Sequence, residues 1–333
     1  MMDRRNLLLA AASLPLASLP LIAGAQAQTA AQDIFPTRPI TVVVPYPPAG
    51  SVDLVARALG EQTTQSLHQQ IVVENRGGGG GAVATQSVAI ADPDGYRIVL
   101  GTQQTHGTNE ALLPNIGYRA AVSFTPVCGI CTVPHALVVK RGLPAINAAE
   151  LITLLKREPG KFNYGSTGNG SSSHLAAELF KIRTGVDAQH VPYRGGGPLA
   201  LDLVAGIVDF SFIAVANILG QIQSGLVKPL AIASSSRVPV LPDVPTLTEA
   251  GVAEVDADAW FAYFAPAKTP PERVAILAAA IEKALAQPAI RETFNRNAVV
   301  MRWRPPAEMP AFVASEVRKW AEVVKASGAK ADL

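Results

Sequence analysis

Short runs of β-branched and apolar residues alternate with stretches of helical periodicity along most of this chain, and this alternation constrains its fold more than any other feature. Repeated strand–helix–strand order predicts parallel sheets covered by helices on both faces, because a parallel connection needs a crossover that packs on the sheet. Asn147 with Glu150, and Thr269 with Glu272, match the pattern of a helix cap and its return bond. The predicted strands are 40–44, 71–73, 97–100, 136–139, 162–164, 210–213 and 230–233.

The length of 333 residues suits two such sheets better than one, because a single domain usually holds about 100–200 residues. We therefore expect an α/β fold with two doubly wound domains, joined by two crossover strands around a ligand cleft. The chain is expected to cross between the domains at Pro134 and at the aromatic segment 260–264, leaving the C-terminal helices on the first domain. The predicted ranges are 1–27 for a signal peptide, 33–133 plus 256–333 for the first domain, and 134–255 for the second.

The composition excludes several classes of protein. Hydrophobic residues make up 49% of the chain and charged residues 16%, which is typical of a folded globular protein and not of a disordered one. The net charge is only +2, from 28 basic and 26 acidic residues, so we expect no nucleic-acid partner and no anionic-membrane partner. Two cysteines are too few for a disulfide scaffold or a four-cysteine zinc site, and the histidines lack metal-ligand spacing. We expect no metal and no cofactor.

The N-terminus has the layout of an export signal. Arg4 and Arg5 precede an apolar run over 7–22, and the sequence AGAQA at 23–27 matches a small-residue cleavage site. A retained N-terminal anchor is the alternative, but the run contains two prolines and is short for a membrane-spanning helix. The arginine pair also matches a loose twin-arginine signal. We expect an exported, soluble mature chain in the periplasm.

Two matched loops carry the functional signal. The first, PYPPAGSVD at 45–53, follows a predicted strand and opens a helix; the second, GSTGNGSSSH at 165–174, does the same. Ligands of open α/β sheets bind at such strand ends, where helix N–H groups favour an anion. Neither loop contains Lys or Arg, so uncharged donors there suit a carboxylate better than a phosphate. The alternative is that Ser51 and Ser171 are only helix caps.

Weaker signals occur elsewhere. The glycines at 77–81 resemble a dinucleotide-binding turn, but a flexible strand–helix connection explains them better. Arg194 before three glycines is either a charge at the cleft or a solvated surface residue, and we favour the latter. Cys128 and Cys131 would face opposite sides of a regular strand, so buried thiols are favoured over a redox pair unless Gly129 bends the chain.

A series of motifs, in order, resembles one receptor family over essentially all of the mature chain. The sequence is similar to the Bug (TctC-like) periplasmic solute-binding receptors of tripartite tricarboxylate transporters. The motifs are PYPPAGSVD at 45–53 with AR at 56–57, VENR at 73–76 with the glycines, PDGY at 93–96, FTPV at 124–127, NYGSTGNGS at 163–171, HLAAELF at 174–180, HVPYRG at 190–195, LPDVPT at 241–246 and EAG at 249–251.

The resemblance implies a periplasmic-binding-protein type II-like clamp that closes on a small carboxylate and delivers it to membrane permease subunits. It implies no enzymatic activity, a monomer, and a mono-, di- or tricarboxylate or amino acid as ligand. This chain departs from the family at Ala49, where glycine is usual, and at Gln103 and Gln104, which replace smaller residues. The implied ligand-binding residues are Tyr46, Ala49, Ser51, Thr102, Gln104, Ser166, Thr167, Gly168, Ser171, Ala214 and Asn217.

Two other functions stay open on the sequence alone. A periplasmic sensor receptor would share the same pocket and differ in the signalling partner that docks outside. An exported serine hydrolase would use a loop serine with a neighbouring base, although the chain has no G-x-S-x-G motif.

Overall fold

The computed structural model describes residues 34–113, 115–255 and 257–330, and the predicted signal peptide lies outside them. Within this part of the chain, no helix combines the length and the apolar character needed to cross a bilayer. Two mixed sheets form the framework. The strands are β1 Ile40–Val44, β2 Ile71–Asn75, β3 Arg97–Thr102, β4 Phe124–Val133, β5 His135–Lys140, β6 Asn163–Ser166, β7 Gln189–Pro192, β8 Phe210–Ala214, β9 Val227–Ile232, β10 Ala259–Pro266 and β11 Val300–Arg304.

The first sheet has the strand order β11-β4-β10-β3-β1-β2, and the second has β7-β6-β8-β5-β9. Parallel pairing holds for β1 with β2 and β3, and for β6 with β7 and β8. β10 runs antiparallel to β3 and β4, and β5 runs antiparallel to β8 and β9. The prediction of parallel sheets is therefore confirmed for β1 to β3 and for β6 to β8 but not for β5 and β10, because each strand that enters from the other sheet runs against its new neighbours.

The chain crosses between the sheets twice, along adjacent paths. Pro134 alone separates β4 of the first sheet from β5 of the second. On the return, the amide of Ala257 donates to the Ala233 carbonyl beside the second sheet (3.1 Å), and Ala259 pairs with Val133 in the first. Segment 260–264 lies inside β10, so the prediction that the chain crosses there is wrong. Its aromatic side chains belong to the core on both faces of the first sheet.

Helices cover both faces of each sheet. α1, α8 and α9 pack on one face of the first sheet, and α2 and the start of α10 on the other. α4 and α5 cover one face of the second sheet, and α6 and α7 the other. The helices are α1 Ser51–Leu67, α2 Ala82–Ala89, α3 Asn109–Leu112, α4 Ala148–Arg157, α5 Ser172–Thr184, α6 Gly196–Ala205, α7 Val215–Gln223, α8 Pro271–Leu285, α9 Pro288–Arg296 and α10 Met309–Ser327.

The C-terminal helix α10 connects the two cores. Met309 and Val313 near its start pack with the first sheet, whereas Trp320 and Val323 join the core around α5. The expectation that the C-terminal helices pack on the first domain holds for α8 and α9, but α10 contacts both domains. The N-terminal half of α10 packs against the first core and its C-terminal half against the second, so neither half alone shows that the helix contacts both domains.

Of the two helix caps predicted from the sequence, one is present in the structure and the other is not. Asn147 caps α4, since its side chain accepts from the Glu150 amide at 2.9 Å. Thr269 does not cap α8; its hydroxyl donates to the Pro266 carbonyl, and Pro271 occupies the first helical position.

A β-bulge changes which way the two cysteines face. Cys131 lies opposite Phe261 and Cys128 opposite Tyr263, with a register shift between the two pairs. Phe261 and Tyr263 are two residues apart on one face of β10, so the shift brings both cysteines to that face. Both are buried free thiols whose pKa is raised by burial. The thiols are buried as predicted, but they do not face opposite sides.

Candidate functional site

Four helices begin at one cavity between the two sheets. The cavity has a volume of about 360 Å³ and is lined by the N-terminal residues of α1 from the first sheet and of α5, α6 and α7, which pack on the second. We call it the inner cavity. Unpaired N–H groups and the positive ends of the helix dipoles point toward such a space, and both favour an anion. An adjoining cavity of about 700 Å³, the outer cavity, shares Tyr46, Gln104 and Arg194 with it.

Hydrogen bonds and an ion pair hold the first loop, residues 45–53, in place. Asp53, which is 5% exposed, accepts a hydrogen bond from the Ala49 amide at 3.1 Å and pairs with Arg57 at 3.0 Å. Arg57 in turn donates to Asn75, whose side chain donates to the Tyr46 carbonyl. Burial opposes ionisation of Asp53, but the bonds from Arg57 and the Ala49 amide outweigh it and lower its pKa. The carboxylate is therefore the anchor of the loop.

The backbone conformation of Ala49 explains why glycine would suit this position. Its φ is +69°, a left-handed conformation in which the Cβ of a non-glycine residue crowds the following carbonyl at a cost of about 1–2 kcal/mol. The bond from its amide to Asp53 helps to offset this strain. The structure thus retains the loop conformation that glycine would adopt freely.

Tyr46 places a neutral hydroxyl between the two cavities. Its oxygen lies 2.9 Å from the Thr102 hydroxyl, and it donates to Gln104 at 3.1 Å. Burial raises the pKa of Tyr46 to about 12, and the bond with Thr102 offsets this in part. The phenol stays protonated at neutral pH and is available as a hydrogen-bond group rather than as a charge.

The two loop serines behave differently. Ser171 is the N-cap of α5: it accepts from the His174 amide at 3.3 Å and donates to the Gly168 carbonyl at 2.6 Å. Ser51 is the first residue of α1, where Gly50 occupies the cap position without a side-chain bond. Ser171 is thus a helix cap and Ser51 is not; because both residues line the inner cavity, the capping bond of Ser171 does not exclude it from the site.

The structure brings most of the predicted site residues together. Gly168 lines the outer cavity. Ser166 lines neither cavity: it is fully buried, and its hydroxyl lies 2.6 Å from Nε2 of His190 on the neighbouring strand. Its hydroxyl also bonds to Gly168, which does line the outer cavity, and direct contact of Ser166 with a ligand stays a prediction. The predicted residues that line the inner cavity are Tyr46, Ala49, Ser51, Thr102, Gln104, Thr167, Ser171, Ala214 and Asn217.

His135 also lines the inner cavity; it was not among the predicted site residues, although it follows the predicted crossing at Pro134. It is 3% exposed, and Nε2 lies 3.2 Å from the Ser172 hydroxyl, also in the inner cavity. Burial lowers the pKa of His135 to about 4, against a smaller opposing effect of the Val133 backbone. Within the described residues no carboxylate bonds to its other ring nitrogen. Ser172 and His135 therefore lack the third group that orients a hydrolase base.

Arg194 also lines both cavities, against the interpretation that it is only a solvated surface residue. Its side chain is exposed as well, so solvent reaches it. As for metal ligands, the described part of the chain has no group of three or more His, Cys, Asp or Glu side chains placed to hold an ion.

Comparison with known proteins extends the geometric result. A family model described as "Tripartite tricarboxylate transporter family receptor" matches residues 55–329. Protein BugT of Bordetella pertussis is 36% identical over 299 residues, which cover 90% of this chain and 92% of BugT.

Solved structures agree with these sequence matches. R. palustris Rpa4515 with adipate is 33% identical with a TM-score of 0.82, covering 90% of this chain and 100% of that one. MatC (Rpa3494) from Rhodopseudomonas palustris with bound malate is 35% identical with a TM-score of 0.78, covering 87% and 100%. These matches extend over both domains. The chain therefore belongs to the TctC family, the receptors of tripartite tricarboxylate transporters.

Proposed function

We propose that this protein is the extracytoplasmic receptor that captures a small carboxylate by domain closure and delivers it to the permease of a tripartite tricarboxylate-type transporter. The observation that carries the proposal is the meeting of helix N-termini from both domains at one cavity, where the first and second loops offer uncharged donors. The family is one of receptors rather than enzymes, which agrees with the expectation of no catalytic role. The bound adipate and malate of two relatives support a carboxylate as the ligand class.

Each domain supplies half of the site in this proposal. The first loop, with Tyr46, Ala49 and Ser51, and the second, with Thr167 and Ser171, would grip one carboxylate from opposite sides. Because the ligand contacts both halves at once, it stabilises the closed arrangement over the open one. The paired crossings at Pro134 and Ala257–Ala259 are the natural hinge, since they are the two places where the chain passes between the sheets.

The remaining parts of the proposal concern processing and assembly. Residues 1–27 would be a signal peptide that directs the chain to the periplasm, and the twin-arginine route is one way to export it. The clamp halves would be 33–133 plus 256–333, and 134–255. The receptor would act as a monomer that presents its closed form to the permease.

A thermal-shift panel of carboxylates tests the proposal. A ligand that binds only the folded state at a hundred times its Kd adds about 2.7 kcal/mol to the free energy of unfolding, so Tm should rise by several degrees. The protein must first be freed of copurified ligand by unfolding and refolding. A broad panel of mono-, di- and tricarboxylates and amino acids that leaves Tm unchanged would contradict the proposal.

Ser51→Leu tests the location of the site without removing a helix cap. The larger side chain should fill the inner cavity beside the first loop and abolish the Tm shift. Ser66→Leu in the same helix, outside both cavities, is the matched control. An unchanged ligand affinity in Ser51→Leu would remove the first loop from the site.

A further inference from the structure

Two histidines of the second domain stack against each other beside the second loop. The ring centroids of His174 in α5 and His190 in β7 lie 4.0 Å apart, with an angle of 9° between the ring planes. The ring of Tyr164 in β6 lies 4.9 Å from that of His190. Neither histidine lines the inner or the outer cavity, so the proposed function gives them no role. We call His174 and His190 the imidazole pair.

One ring nitrogen of His174 holds the main chain of the second loop. The Gly170 amide donates to Nδ1 of His174 at 3.0 Å, so Nδ1 has no proton and the ring is neutral. The amide of His174 itself donates to Ser171, which caps α5 and lines the inner cavity. The side chain and the main chain of one residue therefore both hold the end of the loop against the first turn of the helix.

His190 contacts the beginning of the same loop. Its Nε2 lies 2.6 Å from the Ser166 hydroxyl, and the Gly168 amide donates to that hydroxyl at 3.1 Å. Gly168 lines the outer cavity, and Thr167 lines both cavities. The imidazole pair thus supports both ends of segment 166–171, which presents donors to the cleft.

Protonation of the imidazole pair opposes this arrangement. An imidazolium donates from both nitrogens, so a charged His174 cannot accept from the Gly170 amide. The charge would also lie in the first turn of α5, where the positive end of the helix dipole repels it. A second charge on His190, with its ring 4.0 Å away, would add repulsion between like charges.

A carboxylate and an ammonium group reach the stack through Tyr164. Burial and the Glu178 carboxylate raise the pKa of Tyr164, so its hydroxyl stays protonated and donates to Glu178. Lys181 donates to the same carboxylate at 2.9 Å and balances its charge. Lys181 also lies 5.6 Å from the centre of the Tyr164 ring. These groups therefore add no net negative charge that would favour an imidazolium.

The other elements packed against α5 add a histidine and apolar groups. Nε2 of His135 in β5 lies 3.2 Å from the Ser172 hydroxyl at the start of α5, and burial lowers the pKa of His135 to about 4. Trp320 of α10 and Phe210 of β8 belong to the core around the helix. The neutral form of the imidazole pair is thus the form that fits the observed loop.

We propose that His174, supported by its stacking on His190, is a positioning residue for segment 166–171, and that carboxylate capture is coupled to loss of a proton from the imidazole pair. The inference rests on the proposed function and adds a control on the same site. In acid, an imidazolium loosens the segment in the ligand-free receptor. Binding restores the bond from Gly170 to Nδ1, and the proton passes to the buffer.

The sign of the coupling follows from proton linkage. The ligand-free receptor binds a proton that the complex excludes, so affinity is full where the imidazole pair is neutral and decreases as the pH falls. An exposed histidine titrates near pH 6.5, so the decrease begins at or below about that value. The number of protons released on binding equals the slope of the logarithm of Kd against pH.

Calorimetric titration at about pH 7.5 and about pH 5, in two buffers of different ionisation enthalpy, tests the coupling. The probes are acetate, succinate, malate, adipate, citrate and glutamate, and the tightest binder at the higher pH is used throughout. At the lower pH the wild type should release more protons than the probe itself loses. Its affinity should fall on acidification by about threefold or more beyond the fall in His174→Asn.

Three variants separate positioning from general effects. His174→Asn keeps an acceptor oxygen near the position of Nδ1 but cannot titrate, so it should bind within about threefold of the wild type at the higher pH and lose the excess proton release. His174→Leu removes the acceptor and should weaken binding about tenfold, as expected for one hydrogen bond. His68→Asn, at the exposed C-terminus of α1 and outside both cavities, is the matched control and should match the wild type.

The outcomes distinguish the two proposals. If no probe binds the wild type, the proposed function fails and this inference fails with it. If a probe binds but the wild type and His174→Asn respond equally to acidification, the receptor function stands and the coupling is refuted. The positioning role is refuted if His174→Leu binds as tightly as the wild type, or if His174→Asn binds as weakly as His174→Leu. Should His174→Leu not fold, the comparison of the wild type with His174→Asn decides the inference alone.

Discussion

His135 lies beside the crossing at Pro134, lines the inner cavity and makes the stability of the protein depend on pH. It begins β5 directly after Pro134 and lines the inner cavity, where it is almost completely buried. Burial lowers its pKa to about 4. Replacing it with glutamine keeps a polar side chain near Ser172 but removes the titrating group.

The size of the effect follows from proton linkage. A histidine in an unfolded chain has a pKa of about 6.5. As the pH falls below that value, the unfolded state binds a proton that folded His135 does not, so the free energy of unfolding decreases until about pH 4, where the folded state also titrates. Between about pH 7.5 and about pH 5 the loss is about 2 kcal/mol.

Urea unfolding of the ligand-free protein at the two pH values measures this loss. The wild type should lose about 2 kcal/mol more than His135→Gln on acidification, since the contributions of all other groups cancel in the difference. His106→Gln provides a second case, because burial lowers the pKa of His106 to about 3 and predicts a loss of the same size. Equal losses in the wild type and His135→Gln would refute the linkage argument.

Two further substitutions probe the loops. Asp53→Asn should lower the free energy of unfolding by about 1–2 kcal/mol and weaken carboxylate binding, because the bond that holds the Ala49 amide is weakened; unchanged affinity in calorimetry would show that the loop does not depend on this anchor. Gly170→Ala should destabilise the protein by about 1–3 kcal/mol more than Gly185→Ala, as measured by urea unfolding. Both glycines have φ near +70°, but a Cβ at Gly170 would lie 2.1 Å from Leu112, whereas Gly185 has open space. Equal costs would mean that Leu112 moves aside without penalty.

The loops at strand ends could be predicted because their signals are local. Small residues, a hydroxyl and a helix start follow one another within each loop, and both loops open helices at the inner cavity. Asn147 could be predicted as a cap for the same reason, since its bond partner Glu150 is three residues away. The predicted cap at Thr269 is wrong because its hydroxyl donates to the nearby Pro266 carbonyl instead.

Other features depend on partners that are distant in sequence. Ser166 is fully buried, with its hydroxyl 2.6 Å from Nε2 of His190 on the neighbouring strand. The side of the sheet on which Cys128 and Cys131 lie depends on a bulge in the pairing with β10, a strand more than a hundred residues later in the chain. Arg194 joins the cleft because α6 and α7 begin at the same edge as α1 and α5. None of these relations has a periodic or local signature.

The sequence by itself determined the class of fold, the family and the uncharged character of the two loops, because these depend on short-range patterns and on the residue types present. Only the tertiary structure decided which side chains share the cleft. The crossings at Pro134 and Ala257–Ala259 set two sheets against each other, and this brings four helix N-termini and Arg194 to a single space. The electrostatic potential of that space is the sum of charges contributed by segments far apart in the chain, so it exists only after folding.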